Sequence, residues 1–241
     1  MNDMNNRFYL VYQPIIKYID REKHIINDYE VLLRSKQTHQ FPVSEFDELI
    51  SSEEKNAQFL TWYVQKIEEA MSVYPDLHLS LNFHPEQWHY EATLILLKQL
   101  SNFSRRIIID STEHSPHRCS TTHLTFNHAM TELNQMGYKV SFDDVSTGIN
   151  SMSFLLKNIE YIYRIKFSII HFKSLNPITL NLFIDSWAHF ADDYHIEFVI
   201  EGIEDQSFSL ELFERGIIFQ QGYFFGKGQP LNRLSYRSNI S

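Results

Sequence analysis

Short β-rich runs recur along the whole chain with helical patterns between most of them, and this alternation limits the possible folds. The runs occupy residues 7–15, 24–35, 77–83, 105–112, 138–144, 161–168, 196–203 and 219–226. One of the helical patterns, H-L-T-F-N-H-A-M-T-E-L-N-Q-M-G, ends at Gly137, as expected just beyond a helix. No linker or low-complexity segment divides the chain. Strands that alternate with helices in this way predict an α/β fold, a TIM-like (β/α)8 barrel.

The connection between the first two runs breaks the alternation. Residues 16–23 are too few for a crossover helix, which needs at least about 10 to 12 residues. We therefore expect the first strand to be antiparallel to the second. With 241 residues, 43% of them apolar, the chain can bury a sizeable core as one domain. We expect a single stand-alone domain over residues 1–241.

Charge and cysteine content exclude several classes of protein. The 30 acidic residues outnumber the 21 Lys and Arg residues, which argues against a duplex nucleic acid partner bound through its phosphates. The single cysteine, Cys119, excludes an internal disulfide and fits a reducing compartment. The chain has neither a signal-peptide pattern at its start nor a run of about 18 apolar residues. We expect a cytoplasmic protein with no membrane partner.

Polar residues cluster at the ends of the predicted strands, where a barrel of this kind carries its active site. They are Asn82, Asp110, Glu113, Asp143, Asp144, Lys166, Glu201, Glu204 and Gln221, with Glu30 and Arg34 on the second strand. One strand-end acid is more often a helix cap or a solvated residue than a ligand. Several acids that converge on one rim favour a Mg²⁺ or Mn²⁺ site instead. The adjacent Asp143 and Asp144 would repel each other unless cations neutralised them.

Eight segments, in order, resemble the motifs of the EAL-domain cyclic-di-GMP phosphodiesterases. They are Y-Q-P-I (12–15), E-V-L-L-R (30–34), N-F-H-P (82–85), D-S-T-E (110–113), D-D-V-S-T-G (143–148), the lysine of R-I-K-F (164–167), E-G-I-E (201–204) and Q-G-Y-F-F-G (221–226). The resemblance covers nearly the whole chain and implies a barrel with an antiparallel first strand. It also implies hydrolysis of cyclic di-GMP to linear pGpG with two divalent ions, Mg²⁺ or Mn²⁺.

The resemblance further implies a role for each motif residue. The metal ligands would be Glu30, Asn82, Asp110, Asp143, Asp144 and Glu201. The catalytic residues would be Glu30, Lys166, Glu204 and Gln221, and Lys166 and Gln221 would place the water. The substrate-binding residues would be Gln13, Arg34, Asn82 and Gln221, with Arg34 at a phosphate. Glu113 would anchor the loop after the Asp pair. In the family this loop also makes dimer contacts, so a homodimer is possible.

The chain departs from the family pattern at positions that bear on activity. Asp110 stands where the family has glutamate, and Val31 stands where it has alanine. Val145 and Ser146 replace the phenylalanine and glycine after the Asp pair, and Ser168 replaces the aspartate of K-x-D. An oxygen is kept at every ligand position. The alternative to a working phosphodiesterase is a catalytically weakened domain that acts as a cyclic-di-GMP sensor or a protein-binding regulator.

Two other interpretations have less support. A barrel glycosidase would need two carboxyl groups about 5 to 9.5 Å apart, but it would not need the lysine or the doubled aspartate. A structural zinc site is suggested by residue type at His114, His117, Cys119 and His123. Their spacing matches none of the usual zinc frameworks and also suits a polar loop beside a helix start.

Overall fold

The computed structural model describes residues 2–115 and 122–234, and in these residues eight strands close into a barrel in chain order. The strands are β1 (Phe8–Tyr18), β2 (His24–Ser35), β3 (Leu79–Phe83), β4 (Ile107–Ser111), β5 (Lys139–Phe142), β6 (Ile162–Ser168), β7 (Glu197–Glu201) and β8 (Phe219–Gln221). Each of the predicted β-rich runs overlaps one strand. The predicted TIM-like barrel is confirmed.

The first strand is antiparallel to both of its neighbours. β1 pairs with β2 from Phe8↔Ser35 to Tyr18↔His24, and it pairs with β8 at Ile15↔Gln221. Every pair from β2 to β8 is parallel. The antiparallel first strand predicted from the short connection is confirmed. Because its turn, residues 19–23, precedes β2, the turn lies at the amino-terminal end of the parallel strands and away from their carboxyl edge.

Helices follow most of the strands. They are α1 (Asn2–Arg7), α2 (Val43–Leu49), α3 (Glu53–Val73), α4 (Glu91–Gln99), α5 (Thr122–Gln135), α6 (Met152–Lys157), α7 (Pro177–Asp193) and α8 (Gln206–Glu214). α3 begins after Ser52, whose hydroxyl accepts a hydrogen bond from the N–H of Lys55. Gly137, two residues beyond α5, has φ +82°, a conformation that favours glycine. Within the described ranges, none of the helices combines the length and apolar character needed to cross a membrane.

The barrel interior is polar along β6, whereas the layer between strands and helices is apolar. Arg164, Lys166 and Ser168 alternate along β6 and are all buried. Arg164 donates two hydrogen bonds to Asp28, at 2.9 and 2.7 Å, and one to Glu197 at 2.5 Å. This arrangement neutralises a buried guanidinium deep in the barrel. Since side chains on a strand repeat every two residues, Lys166 lies one layer closer to the carboxyl edge.

Candidate active site

The ammonium of Lys166 lies among four carboxylates. Its Nζ is 2.8 Å from Oε1 of Glu201, 3.1 Å from Oδ1 of Asp143, 3.4 Å from Oε1 of Glu30 and 3.6 Å from Oδ2 of Asp110. The side chains of Lys166 and Asp110 are fully buried, and the other three are at most 15% exposed. The groups come from, or directly follow, five different strands. Barrel closure brings together acids that are distant in sequence.

Amide and hydroxyl groups orient these carboxylates. Asn82 Nδ2 donates to Oε1 of Glu30 at 2.8 Å, and Gln221 Nε2 donates to Oε2 of the same carboxylate at 2.6 Å. The hydroxyl of Ser80 donates to Oδ2 of Asp110 at 2.5 Å. Among the described residues, the buried oxygens Oδ1 of Asn82, Oδ1 of Asp110 and Oε1 of Gln221 have no hydrogen-bond partner. Buried oxygens without donors are suited to coordinate a hard cation.

The pKa values reflect an excess of negative charge. Burial raises the pKa of Glu201 to about 7, and neighbouring carboxylates add to the effect while Lys166 opposes it. The pKa of Asp143 is raised well above its usual value, again chiefly by burial. Burial would also raise the pKa of Glu30, but Lys166 and two amide hydrogen bonds outweigh it and the pKa is lowered. One ammonium does not neutralise the carboxylates around it, so protons or cations must do the rest.

The Asp pair lies where β5 gives way to a compact loop. Asp143 Oδ1 accepts a hydrogen bond from the N–H of Asp144 at 3.0 Å, and Asp144 has φ +45°. Carboxylate oxygens of Asp143, Asp144 and Glu201 lie within 4.8 Å of one another. Oδ1 of Asp144 is buried and, in the part of the chain that the structure describes, has no partner. The donor set and its spacing fit a divalent cation such as Mg²⁺ or Mn²⁺.

Glu113, the predicted anchor of this loop, contacts it through the main chain. The carbonyl of Glu113 accepts a hydrogen bond from the N–H of Ile149 at 2.9 Å. A Cβ at Gly148 would lie 1.9 Å from that carbonyl oxygen, so only glycine fits there. The carboxylate of Glu113 lies 3.5 Å from Nδ1 of His114. Asn150 also stabilises the loop, because its Nδ2 donates a hydrogen bond to the carbonyl of Asp143 at 2.6 Å.

Two predicted substrate-binding residues lie outside the acidic cluster. Gln13 Nε2 donates to the carbonyl of Gly226 at 3.4 Å. Arg34 Nη1 donates to the carbonyl of Leu33 at 2.8 Å, and Arg34 lies four residues beyond Glu30 on the same face of β2. Their assignment to substrate stays a prediction.

Glu204 and most of the zinc-type residues lie apart from the cluster or outside the described residues. Glu204 forms a 3.1 Å ion pair with Lys173, and both side chains are more than half exposed. His117 and Cys119 lie outside the described residues, as does the side chain of His123. The catalytic role of Glu204 and the zinc site stay predictions.

A cavity of about 470 Å³ opens beside the acidic cluster. Glu30, Asn82, Asp143 and Asp144 line its polar part. Aromatic side chains line another part, namely Phe41, Phe46, Phe59, Tyr63, His84 and His114. The volume lies in the range of small-molecule sites, about 300 to 1,000 Å³. The cavity can hold a ligand with flat apolar groups and place its polar groups at the carboxylates.

Three residues that were not predicted from the sequence contact the acidic cluster or the loop after the Asp pair. Ser80, which bonds Asp110, stands two residues before a predicted ligand on β3, so the period of two could have identified it. His171 Nε2 lies 3.0 Å from Oδ2 of Asp144, and Trp187 Nε1 donates to Oγ of Ser146 at 2.7 Å. No sequence signal points to these last two contacts, because they depend on how the segment after β6 packs.

A family model described as EAL domain matches residues 2–228. No curated protein matches the chain.

Many solved structures are similar to this chain, and three of them are described here. The EAL enzyme Bd1971, bound to cAMP and cyclic di-GMP, has a TM-score of 0.76 and 24% identity over 96% of this chain and 64% of its own. A standalone versatile EAL protein from Vibrio cholerae O395, bound to c-di-GMP, has a TM-score of 0.72 and 20% identity, covering 93% of each chain. Klebsiella pneumoniae BlrP1, in a manganese/cy-diGMP complex, has a TM-score of 0.69 and 20% identity over 92% of this chain and 60% of its own. The chain thus spans less than two thirds of Bd1971 and of BlrP1, and identities this low show the fold alone.

Proposed function

Because the chain belongs to the EAL domain family, we propose that it is a metal-dependent phosphodiesterase that hydrolyses cyclic di-GMP to linear pGpG. The observation that carries the proposal is the group of four carboxylates around Lys166, with unpartnered amide and carboxylate oxygens beside it among the described residues. Related structures with bound cyclic di-GMP, one of them with manganese, support the choice of substrate and metal.

The residues present fit a pair of divalent cations, Mg²⁺ or Mn²⁺. The ligands would be Glu30, Asn82, Asp110, Asp143, Asp144 and Glu201. Their oxygens are the hard donors that such ions prefer, and several of them have no partner within the described residues. When bound, the ions would supply Lewis acidity toward the phosphodiester and lower the pKa of a water.

Lys166 would orient the attacking water rather than remove its proton. Its pKa is raised well above the usual value, because four carboxylates outweigh the effect of burial, so it stays protonated at neutral pH. A protonated amine donates hydrogen bonds and cannot serve as a general base. The amide of Gln221 holds Glu30 from the opposite side, which limits the movement of that carboxylate. Arg34, on the same strand face as Glu30, would meet a phosphate oxygen.

The cavity would hold one end of the dinucleotide. Its aromatic side chains offer flat surfaces on which a guanine base can pack, and its acidic end lies at the carboxylate cluster. Bases seated in an apolar cavity would exclude water and fix the phosphodiester relative to Lys166.

The second candidate is a domain that binds cyclic di-GMP without cleaving it. One observation favours it. Ser168, which replaces the family aspartate, is buried on β6 opposite Glu201 and contributes no carboxylate to the cluster. A site that lacks one acid can keep a ligand pocket and lose turnover.

The deciding experiment incubates the purified protein with cyclic di-GMP and either Mn²⁺ or Mg²⁺ and separates the products by chromatography. We expect pGpG with metal and no product with a chelator. A Glu30→Gln variant should be inactive, and Glu211→Gln, at a half-exposed acid on α8, is the matched control. Binding without product under both metals would establish the sensor instead. If the protein neither binds cyclic di-GMP nor forms product, both candidates are wrong. Light scattering on the same sample measures whether the protein forms the homodimer that the family's loop contacts allow.

A further inference from the structure

A side chain of α7 holds the loop that follows the Asp pair. Nε1 of Trp187 donates a hydrogen bond to Oγ of Ser146 at 2.7 Å. The indole is 4% exposed, whereas Ser146 is exposed at the surface. The hydrogen bond therefore joins a buried side chain of α7 to an exposed loop residue that makes few packing contacts.

Ser146 has a backbone conformation that a side chain disfavours. Its φ is +74°, in the left-handed region that glycine enters without strain. The preceding residue is fixed in place, since Val145 is fully buried and its N–H donates to the carbonyl of Lys166 at 2.9 Å. The N–H of Ser146 itself donates to the carbonyl of Asn150 at 3.1 Å. A non-glycine residue held in this way persists only when its surroundings stabilise it.

The conformation of Ser146 matters because Asp144 lies two residues before it. Asp144 is also left-handed, with φ +45°, and its Oδ1 is buried without a partner among the described residues. The carbonyl of Asp144 accepts hydrogen bonds from the N–H of Thr147 at 3.1 Å and from its hydroxyl at 2.6 Å, so relaxation of Ser146 would shift a neighbour that is bonded to Asp144. Even a displacement of a few tenths of an ångström weakens a metal site.

We propose that Trp187 is a positioning residue, which holds Ser146 and thereby keeps Asp144 in place to bind a divalent cation. The proposal rests on the metal site of the proposed function. The competing explanation is that Trp187 only packs, since its ring also lies 5.5 Å from that of Phe190. The hydrogen bond and the packing can be separated, because Trp187→Phe keeps an aromatic ring and removes the donor.

The test is a calorimetric titration of the metal-free protein with Mn²⁺. The variants are Trp187→Phe, Ser146→Ala, Ser146→Gly and the double variant Ser146→Gly with Trp187→Phe. Trp187→Phe and Ser146→Ala should each raise the Mn²⁺ dissociation constant about threefold to tenfold, the worth of one hydrogen bond. Ser146→Gly should cost less than Ser146→Ala, because glycine adopts the required φ without strain. Trp187→Phe should then have no further effect when it is added to Ser146→Gly.

Ser146→Ala keeps the test decisive if Trp187→Phe misfolds. Ser146 is exposed, and the alanine removes only the hydroxyl that accepts the hydrogen bond from Trp187. Unchanged Mn²⁺ affinity in Trp187→Phe and Ser146→Ala overturns the proposal. The proposal is also overturned if Trp187→Phe lowers the Mn²⁺ affinity by the same factor in the wild type and in Ser146→Gly. That result would assign Trp187 to packing. If the wild type binds no Mn²⁺, the metal site and this proposal fail together. If Mn²⁺ binds and the variants behave as expected but no pGpG forms, only the proposed hydrolysis fails.

Discussion

Nζ of Lys166 lies 2.8 Å from Oε1 of Glu201, across the adjacent parallel strands β6 and β7. The pair is not isolated, because the same ammonium lies within 3.6 Å of three further carboxylates. Cations that enter the site must therefore share these carboxylates with Lys166.

Replacing Lys166 by Met should separate metal binding from catalysis. The variant keeps the length of the side chain and removes the charge, so Mn²⁺ should bind at least as tightly as in the wild type while hydrolysis falls by orders of magnitude. Without metal, the uncompensated carboxylates should destabilise the protein by about 3 to 5 kcal/mol. Calorimetry, a product assay and urea unfolding measure the three quantities. A Lys166→Met variant with normal turnover would show that the ammonium has no part in the reaction.

Replacing Asp143 or Asp144 by Asn should abolish activity but spare the fold. Each change removes a charge and keeps the shape, so turnover should fall by orders of magnitude. The metal-free protein should be as stable as the wild type or more stable, because fewer carboxylates repel one another. Product formation and thermal unfolding without metal are the measurements, with Glu211→Gln as control. Normal hydrolysis in either variant would disprove the two-metal assignment.

Changing Asp110 to Glu should weaken the metal site rather than repair it. Asp110 is fully buried, and its Oδ2 already accepts a 2.5 Å hydrogen bond from Ser80. A longer side chain has to break that contact or shift the strand, so Asp110→Glu should need more Mn²⁺ for half-maximal rate. Asp110→Ala should abolish turnover. The measurement is the rate as a function of Mn²⁺ concentration. If both variants match the wild type, residue 110 is not a ligand.

Stability of the metal-free protein should fall as the pH rises through the window set by Glu201. The pKa of Glu201 is raised from 4.5 to about 7, so between these values the folded state binds more protons than the unfolded state. The free energy of unfolding therefore decreases with pH in this window, and the raised pKa of Asp143 acts in the same direction. Urea unfolding at about pH 5 and about pH 7.5 measures the loss. The loss should be smaller in Glu201→Gln, and saturating Mn²⁺ should reduce it in the wild type. An equal loss in Glu201→Gln would assign the pH dependence to other groups.

Much of the barrel and of the acidic cluster could be predicted from the order of residues. Glu30, Asp110, Lys166 and Glu201 each stand on a strand, and the residues of a strand alternate between its two faces. Once the parallel strands are recognised, their carboxyl ends must meet at one rim. The antiparallel β1 was equally predictable, because residues 16–23 leave no room for a crossover helix.

The tertiary structure decided which groups touch. Trp187 meets Ser146 and His171 meets Asp144 only because α7 and the turn before it pack back against the loop of the Asp pair. These contacts join residues far apart in the sequence, and no periodic pattern in the sequence relates their positions. The sequence by itself determined which side chains share a strand face, because that follows from local geometry. The pairing of Lys166 with four acids, and the support of the loop from α7, came from barrel closure and helix packing, which are set by the whole chain at once.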